Sequence, residues 1–294
     1  MRTLFEHTRT KWTRFTDYEW KTADNGICYL VPTKDAKDEC YNPMEHPEEM
    51  ICKALDIGLL CYLDRSDDEI KAAIRGFACQ YGLLCIMTAL PATAKFIEHG
   101  RVYLPKNELI RAEEMDSTEY LDMFFPFEKP AFMKDGDVNR WKRLSAYSVG
   151  FIDSYKGHAE ATALSFTRIY GERYDWLKTI FKSWSFTFMT SYLYCHDEDG
   201  LDEDCKRLYE KGISAFDGNA PTYHIELKDK PLLVWDFHSL LLCIELLFSI
   251  MLTDDATPLR MCKNCQKAFI AKGIDDEFCS ETCRKKYYKR KDDR

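Results

Sequence analysis

The chain has 294 residues, 46% of them hydrophobic and 14% aromatic, with a formal net charge of −8. That length and apolar content allow one large or two modest folded domains with a substantial core, and they exclude a disordered chain. Thirteen cysteines sit in a chain whose opening, Met1 to His7, lacks the apolar stretch of a leader peptide, so a cytoplasmic, thiol-reducing setting is expected and a disulfide scaffold is not.

No internal repeat or low-complexity tract interrupts the chain. Residues 1–47 mix aromatics (Trp12, Phe15, Tyr18, Trp20) with charges. Ile27 to Val31 reads as a strand ended by Pro32, and loop-like text follows to Pro47. Glu48 to Leu63 reads as a helix, with Ile51, Ala54, Leu55, Gly58, Leu59 and Tyr62 on one side. Ser66 and Glu69 form a capping box for a second helix, whose apolar face is Ile70, Ala73, Ile74, Phe77 and Tyr81 and which Gly82 ends. These two helices read as a packed pair. Residues 91–117 look irregular, with one short strand at Val102 to Leu104.

Phe124-Phe125-Pro126-Phe127 is too aromatic for water and reads as a core plug or a contact between halves of the chain, a partner-binding patch being the lesser alternative. Ala159 to Tyr194 reads as mostly helical. Its aromatics (Phe166, Tyr170, Tyr174, Trp176, Phe181, Trp184, Phe186, Phe188) form a core stripe rather than a cofactor box. His196 to Asp204 is an acidic loop in which Gly200 follows Asp199 directly. That breaks the carboxylate register of a calcium-binding EF-hand and leaves a solvated loop as the reading. Thr222 to Trp235 alternates as strand, turn and strand around Lys228-Asp229-Lys230. Leu240 to Leu252 is an apolar helix interrupted by Glu245. An ionised residue at mid-bilayer costs roughly 2.5–3.5 kcal/mol. Asp236, His238 and Glu245 therefore make this window a core helix, and no membrane partner is expected.

Past Asp254-Asp255-Ala256-Thr257-Pro258 lies the most informative pattern: Cys262 and Cys265, thirteen intervening residues, then Cys279 and Cys283. Four thiolates at C-x2-C and C-x3-C spacing suit a tetrahedral divalent ion, and Zn2+ is the usual occupant. Phe269 follows the first pair at hairpin spacing, Lys272-Gly273 reads as a turn, and the text from Ser280 to Tyr288 has helical composition. A helix begun by Cys279 would set Cys279 and Cys283 on one face. Knuckle, hairpin and helix-borne ligands make a treble-clef arrangement around one structural zinc. Four cysteines fill the shell, so a catalytic metal, which keeps a position open for water, is the weaker reading.

Charge is uneven. Arg260 to Arg294 holds 11 Lys/Arg against 6 Asp/Glu, while the other 259 residues hold 30 against 43. A basic module therefore hangs on an acidic body, either to face nucleic acid or to dock on the body itself. On a continued helix Lys285, Lys286, Lys289 and Arg290 project outward, ready with Arg284 to neutralise phosphates, and Tyr288 can stack on an unpaired base.

The text Leu259-Arg260-Met261-Cys262-Lys263-Asn264-Cys265, then Phe269, Phe278-Cys279-Ser280 and Cys283-Arg284 with a basic, Tyr-containing tail, resembles the C-terminal zinc fingers of CGNR type. Those belong to bacterial proteins proposed as stress-linked transcription regulators, in which a helical ABATE domain precedes the finger. The resemblance covers about the last forty residues. Where the family reads Cys-Gly-Asn-Arg, this chain has Cys283-Arg284-Lys285-Lys286. The body is similar to a clostridial-type family without an assigned activity, around Gln80 to Leu84, Met87 to Pro91 and Val102 to Asn107.

Catalytic sets are absent from the sequence: no Gly-rich phosphate loop, no G-x-S-x-G elbow, no H-E-x-x-H. The best acid–base cluster is Asp236, His238 and Glu245, more often a satisfied polar spot than a site. The expectation is a mainly α protein: an α-rich body with a few short strands over 1–258, ABATE-like by resemblance, and a treble-clef-like zinc module with a basic helix over 259–294. The expected role is that of a zinc-binding, nucleic-acid-binding regulator and not an enzyme. The alternatives are a protein-interaction scaffold whose zinc module is purely structural, and, behind it, an enzyme.

Overall fold

The computed structural model describes residues 12–90, 101–129, 167–196, 202–214, 216, 222–227, 229–237, 239–253, 259–273 and 275–292. Within them helix is the larger share of the regular structure, and the strands form small two- and three-stranded sheets. The chain divides into two compact units, the first taking Met1–Glu45, Ile74–Leu177 and Asn219–Cys243 and the second His46–Ala73, Lys178–Gly218 and Ile244–Arg294.

The first unit opens with four strands, of which the sequence pattern announces one, the strand expected at Ile27 to Val31, which is β3 (Cys28–Pro32). β1 (Trp12–Phe15) pairs antiparallel with β4 (Asp38–Tyr41), and β4 lies inside text expected to be loop. β2 (Tyr18–Thr22) pairs with β3 (Cys28–Pro32), and β3 in turn pairs with β7 (Glu172–Arg173). β7 interrupts the helix expected from Ala159: residues 159–166 of that stretch lie outside the described residues, 167–169 are helical, and the long helix starts at Tyr174. Pairing with Tyr29 and Leu30 wins here over local helical preference. β5 (Arg101–Tyr103) meets β6 (Glu114–Asp116), matching the expected strand at Val102. The Phe-rich plug is core as expected: Phe124 and Phe125 are fully buried, and Phe124 stacks on Tyr170 at 6.0 Å between ring centres. Phe127 stays exposed, its ring edge-on to Tyr29.

One polar feature organises this unit. Glu172 on β7 is buried and accepts hydrogen bonds from the backbone N–H of Leu84 (2.9 Å) and Ile86 (3.2 Å). Between them Cys85 has φ 53, a left-handed conformation that turns successive N–H groups toward one point. Such a backbone nest binds anions, and here the anion comes from the chain itself. The carbonyl of Leu84 accepts from Ser239 Oγ and from the N–H of Leu241, closing the loop's backbone requirements. Gly82, at φ +90, ends the helix before this loop, and a Cβ there would press on Thr13 O at 2.7 Å.

Burial pushes the Glu172 carboxyl up to about 7, although the N–H groups of Leu84 and Ile86 pull the other way. The folded state therefore holds this proton more tightly than the unfolded one. The stabilisation is complete below the unfolded value near 4.5 and is lost as pH rises toward 7. Between those values the first unit is expected to lose roughly 3 kcal/mol through this group. Glu172→Gln, which keeps the shape of the protonated form, is expected to flatten that slope in urea titrations run from pH 4.5 to 7.5; an unchanged slope would remove Glu172 as its source.

The second unit is built on helices. α1 (Pro47–Tyr62) starts with Pro47 in its first turn and Glu48 and Glu49 beside the positive end of the helix dipole. α2 (Asp67–Tyr81) starts where the capping box placed it, with Ser66 Oγ accepting from the N–H of Glu69 at 3.3 Å, and its residues 67–73 belong to this unit. In the order of the chain, α3 (Ile86–Ala89) and α4 (Ser117–Asp122) fall in the first unit. α5 (Tyr174–His196) enters the second unit from Lys178 onward and α6 (Glu203–Ser214) lies wholly in it. α5 lays Phe181 and Ser185 directly on Gly58 of α1, and Ser185 Oγ donates to Leu55 O at 3.1 Å. Trp184 and Phe188 are buried as expected of the aromatic stripe, whereas Phe186 is 40% exposed and stacks on Tyr62.

β8 (Thr222–Leu227) and β9 (Pro231–Asp236) form the expected hairpin in the first unit. α7 (Leu240–Thr253) is the expected apolar helix, and its residues from Ile244 onward join the second unit. Among the described residues no helix is long and apolar enough to cross a membrane.

Candidate metal centre

The four cysteines come together. β10 (Leu259–Met261) and β11 (Ala268–Ile270) pair antiparallel, Leu259 opposite Ile270, and the Cys262–Cys265 knuckle is the connection between them. The N–H of Cys262 donates to Lys267 O (2.9 Å), and that of Gln266 donates to Cys262 O (2.8 Å). Gln266 takes φ 62 to make the turn. The N–H of Lys263 reaches Glu277 O (3.0 Å), and the two side chains are ion-paired, which fixes the segment carrying the third ligand. Asp276 accepts from the N–H groups of Lys272 and Gly273, holding the predicted turn closed.

α8 (Glu281–Asp292) follows. It begins two residues after Cys279, where the ligand spacing started it, so Cys279 precedes the helix. Ser280 provides the cap, accepting from the N–H of Cys283 at 3.2 Å. Cys279 and Cys283 still converge, their sulfurs 3.5 Å apart, and Cys265 Sγ lies 3.7 Å from Cys279 Sγ. All four sulfurs lie within 4.8 Å of one another. An ion bonded to four sulfurs at about 2.3 Å would hold them roughly 3.8 Å apart along the tetrahedral edges. The quartet could therefore hold a metal ion with little movement.

The thiols are not alike. Burial pushes Cys262 up, yet the N–H groups of Cys279, Cys265 and Asn264 outweigh it and hold the thiol below its usual range. Hydrogen bonds from the Asn264 amide, then from Ser280, bring Cys283 down to about 6. Cys265 and Cys279 go the other way, raised first by burial. Two sulfurs are thus supplied with donors and two resist ionising beside them. Four like charges this close repel strongly, and a divalent cation at their centre is what lets all four ionise together.

The module is anchored within the second unit. Lys267 Nζ on the knuckle meets Asp56 Oδ2 of α1 at 2.7 Å. Burial pushes the Asp56 carboxyl up, against the opposing pull of Lys267.

The six residues singled out for nucleic acid split into two sets. Arg284 pairs with Glu281 at 3.0 Å. Tyr288 is 49% exposed but lies against Phe278 and Tyr287. Both line an open cavity of about 400 Å³ together with Phe269, Asp275, Phe278 and Glu281. Lys285, Lys286, Lys289 and Arg290 are exposed, and none makes an ion pair with any described residue. Of the suspected acid–base cluster, His238 and the side chain of Asp236 lie outside the described residues, and Glu245 is half-buried on α7.

No family model, curated protein or solved structure matches this chain.

Proposed function

We propose that this chain is a cytoplasmic, zinc-binding regulatory protein in which one structural Zn2+ on Cys262, Cys265, Cys279 and Cys283 completes a treble-clef finger that presents α8 to nucleic acid. The distant likeness to CGNR-type regulators points the same way. Zinc fits the donor set because four thiolates close its shell and leave no position for substrate. When bound, the ion supplies charge neutralisation and a fixed crosslink between the knuckle and α8. The chain's own residues supply the rest: Ser280 caps the helix, Lys267 docks the knuckle on Asp56, and α8 displays its cations.

The observation that carries the reading is the set of exposed cations at Lys285, Lys286, Lys289 and Arg290, which make no ion pair with any described residue. A tail that merely balanced an acidic body would spend these charges on carboxylates, as Arg284 does on Glu281. Unspent, they can displace counterions from phosphates. Arg284 and Tyr288 take a lesser part, being engaged with Glu281, Phe278 and Tyr287.

The test is affinity for duplex and single-stranded DNA and RNA as a function of salt. Replacing these four cations with Ala is expected to lower the slope of log K against log salt by about 4 for a duplex, one unit for each phosphate no longer neutralised. Arg284→Ala is expected to change it by less than about half a unit. Absence of binding at low salt, or a slope unmoved by the fourfold variant, would overturn the proposal.

A further inference from the structure

We propose that the outward face of the β8–β9 hairpin is a contact surface for a second copy of this chain, an inference independent of the metal centre. The hairpin register sets Tyr223 opposite Trp235, Ile225 opposite Leu233 and Leu227 opposite Pro231. Directly opposed residues in an antiparallel pair project from the same side of the sheet. One face is therefore apolar from end to end, and it is exposed: Tyr223 65%, Ile225 73%, Leu227 77% and Leu233 43%. The opposite face provides the hairpin's anchor, with Val234 buried and Leu232 half-buried.

This arrangement runs against the usual pattern of a small antiparallel sheet, in which the solvent side is polar. Scattered single apolar residues on a surface need no explanation, but a contiguous set held in register does. Tyr223 and Trp235 already meet edge to face at 5.7 Å between ring centres, so the patch has a preformed aromatic end.

Two properties select the occupant. No ionisable carboxylate, ammonium or guanidinium group stands at positions 223, 225, 227, 231, 233 or 235, so the face offers a charged partner nothing to pair with. A matching surface must be equally apolar and similarly twisted, and the same face on a second copy meets both conditions. Two-fold pairing of one patch with itself is the commonest way that soluble chains associate. The area suffices: the exposed parts of Tyr223, Ile225, Leu227 and Leu233 amount to roughly 500 Å² per copy, or about 1,000 Å² for the pair, the size at which specific interfaces begin. Aligned face-to-face sheets pack about 10 Å apart, with side chains interleaved.

The experiment is sedimentation equilibrium on the full, metal-loaded chain. The native protein is expected at twice its 34.5 kDa mass at concentrations of about 100 μM. The Ile225→Lys/Leu233→Lys variant is expected as a monomer, with association weakened at least about 100-fold. A monomeric native chain, or a dimer unmoved by the variant, would overturn the proposal. A native monomer that floats with phosphatidylcholine vesicles and loses that binding in the variant would also overturn it, in favour of a lipid surface. If circular dichroism shows the lysine variant unfolded, Ile225→Thr/Leu233→Thr replaces it. A dissociation constant raised at least about tenfold in the threonine variant would support the interface, and an unchanged one would refute it.

Discussion

Stripping the metal, or replacing Cys262 with Ser, is expected to unfold the C-terminal module from the knuckle through α8 while leaving α1 and α5 folded. Cys262 is the fully buried cysteine of the four. The backbone N–H groups of Asn264 and Cys265 on the knuckle and of Cys279 on the far segment favour its ionised form. A serine hydroxyl there is a poor ligand for a soft site and leaves those donors facing a weaker acceptor. Structural zinc contributes roughly 10–16 kcal/mol to small thiolate modules. The substitution is expected to cost more than about 4 kcal/mol of that, lowering metal affinity by at least about 1,000-fold.

The rest of the module offers little to resist. β10 and β11 are three residues each. α8 has only twelve residues, most of them exposed, and a helix of about that length is marginal in water without tertiary support. Its cations also repel one another once the anchor is gone. The measurement is hydrogen exchange on metal-loaded, chelator-treated and Cys262→Ser protein. Amides of residues 281–292 should lose protection in the latter two, and one equivalent of zinc should be released per native chain. Retained protection at α8 in a metal-free chain would show that packing and not an ion holds the module. Lys267→Ala separates the two contributions: it should leave metal content unchanged and free the knuckle from Asp56.

How much of the molecule is legible in the sequence depends on how local each feature is. The cysteine quartet is readable because its geometry is encoded in short spacings on either side of one turn. The start of α2 is readable because Ser66 and Glu69 act within one helical turn. Other features depend on residues far apart in the chain. β1 and β4 pair across more than twenty positions, and β7 joins β3 across about 140, overriding the helical composition around Glu172. The bond between Glu172 and the Leu84–Ile86 nest leaves no local trace, since neither a glutamate in aromatic text nor Cys85 announces a left-handed turn. The hairpin of β2 and β3 does have a local cue, because Asn25-Gly26 between them is a pair that commonly marks such a turn. The late start of α8 has a local cause as well, because Ser280 outcompetes Cys279 as the capping residue.

Gly58→Ala is expected to destabilise the second unit by about 2–4 kcal/mol, whereas Gly76→Ala should stabilise the chain by up to about 1 kcal/mol. Both glycines lie inside helices, so propensity alone predicts the same gain for each. Their surroundings differ. A Cβ on Gly76 meets nothing within 4 Å. A Cβ on Gly58 collides with the backbone carbonyl of Phe181 and with the Cβ of Ser185. Neither obstacle is the flexible end of a side chain, so α1 and α5 would have to move apart. That separation breaks the hydrogen bond from Ser185 Oγ to Leu55 O and opens gaps around Phe181 and Trp184, both buried on the same helix. Overpacking costs about 1–3 kcal/mol and an unmade buried hydrogen bond about 1 more, which together exceed the propensity gain several-fold. Urea titrations read at amides of α1 and α5 would measure the difference. Equal stability of the two variants would mean that the helices do not cross at Gly58.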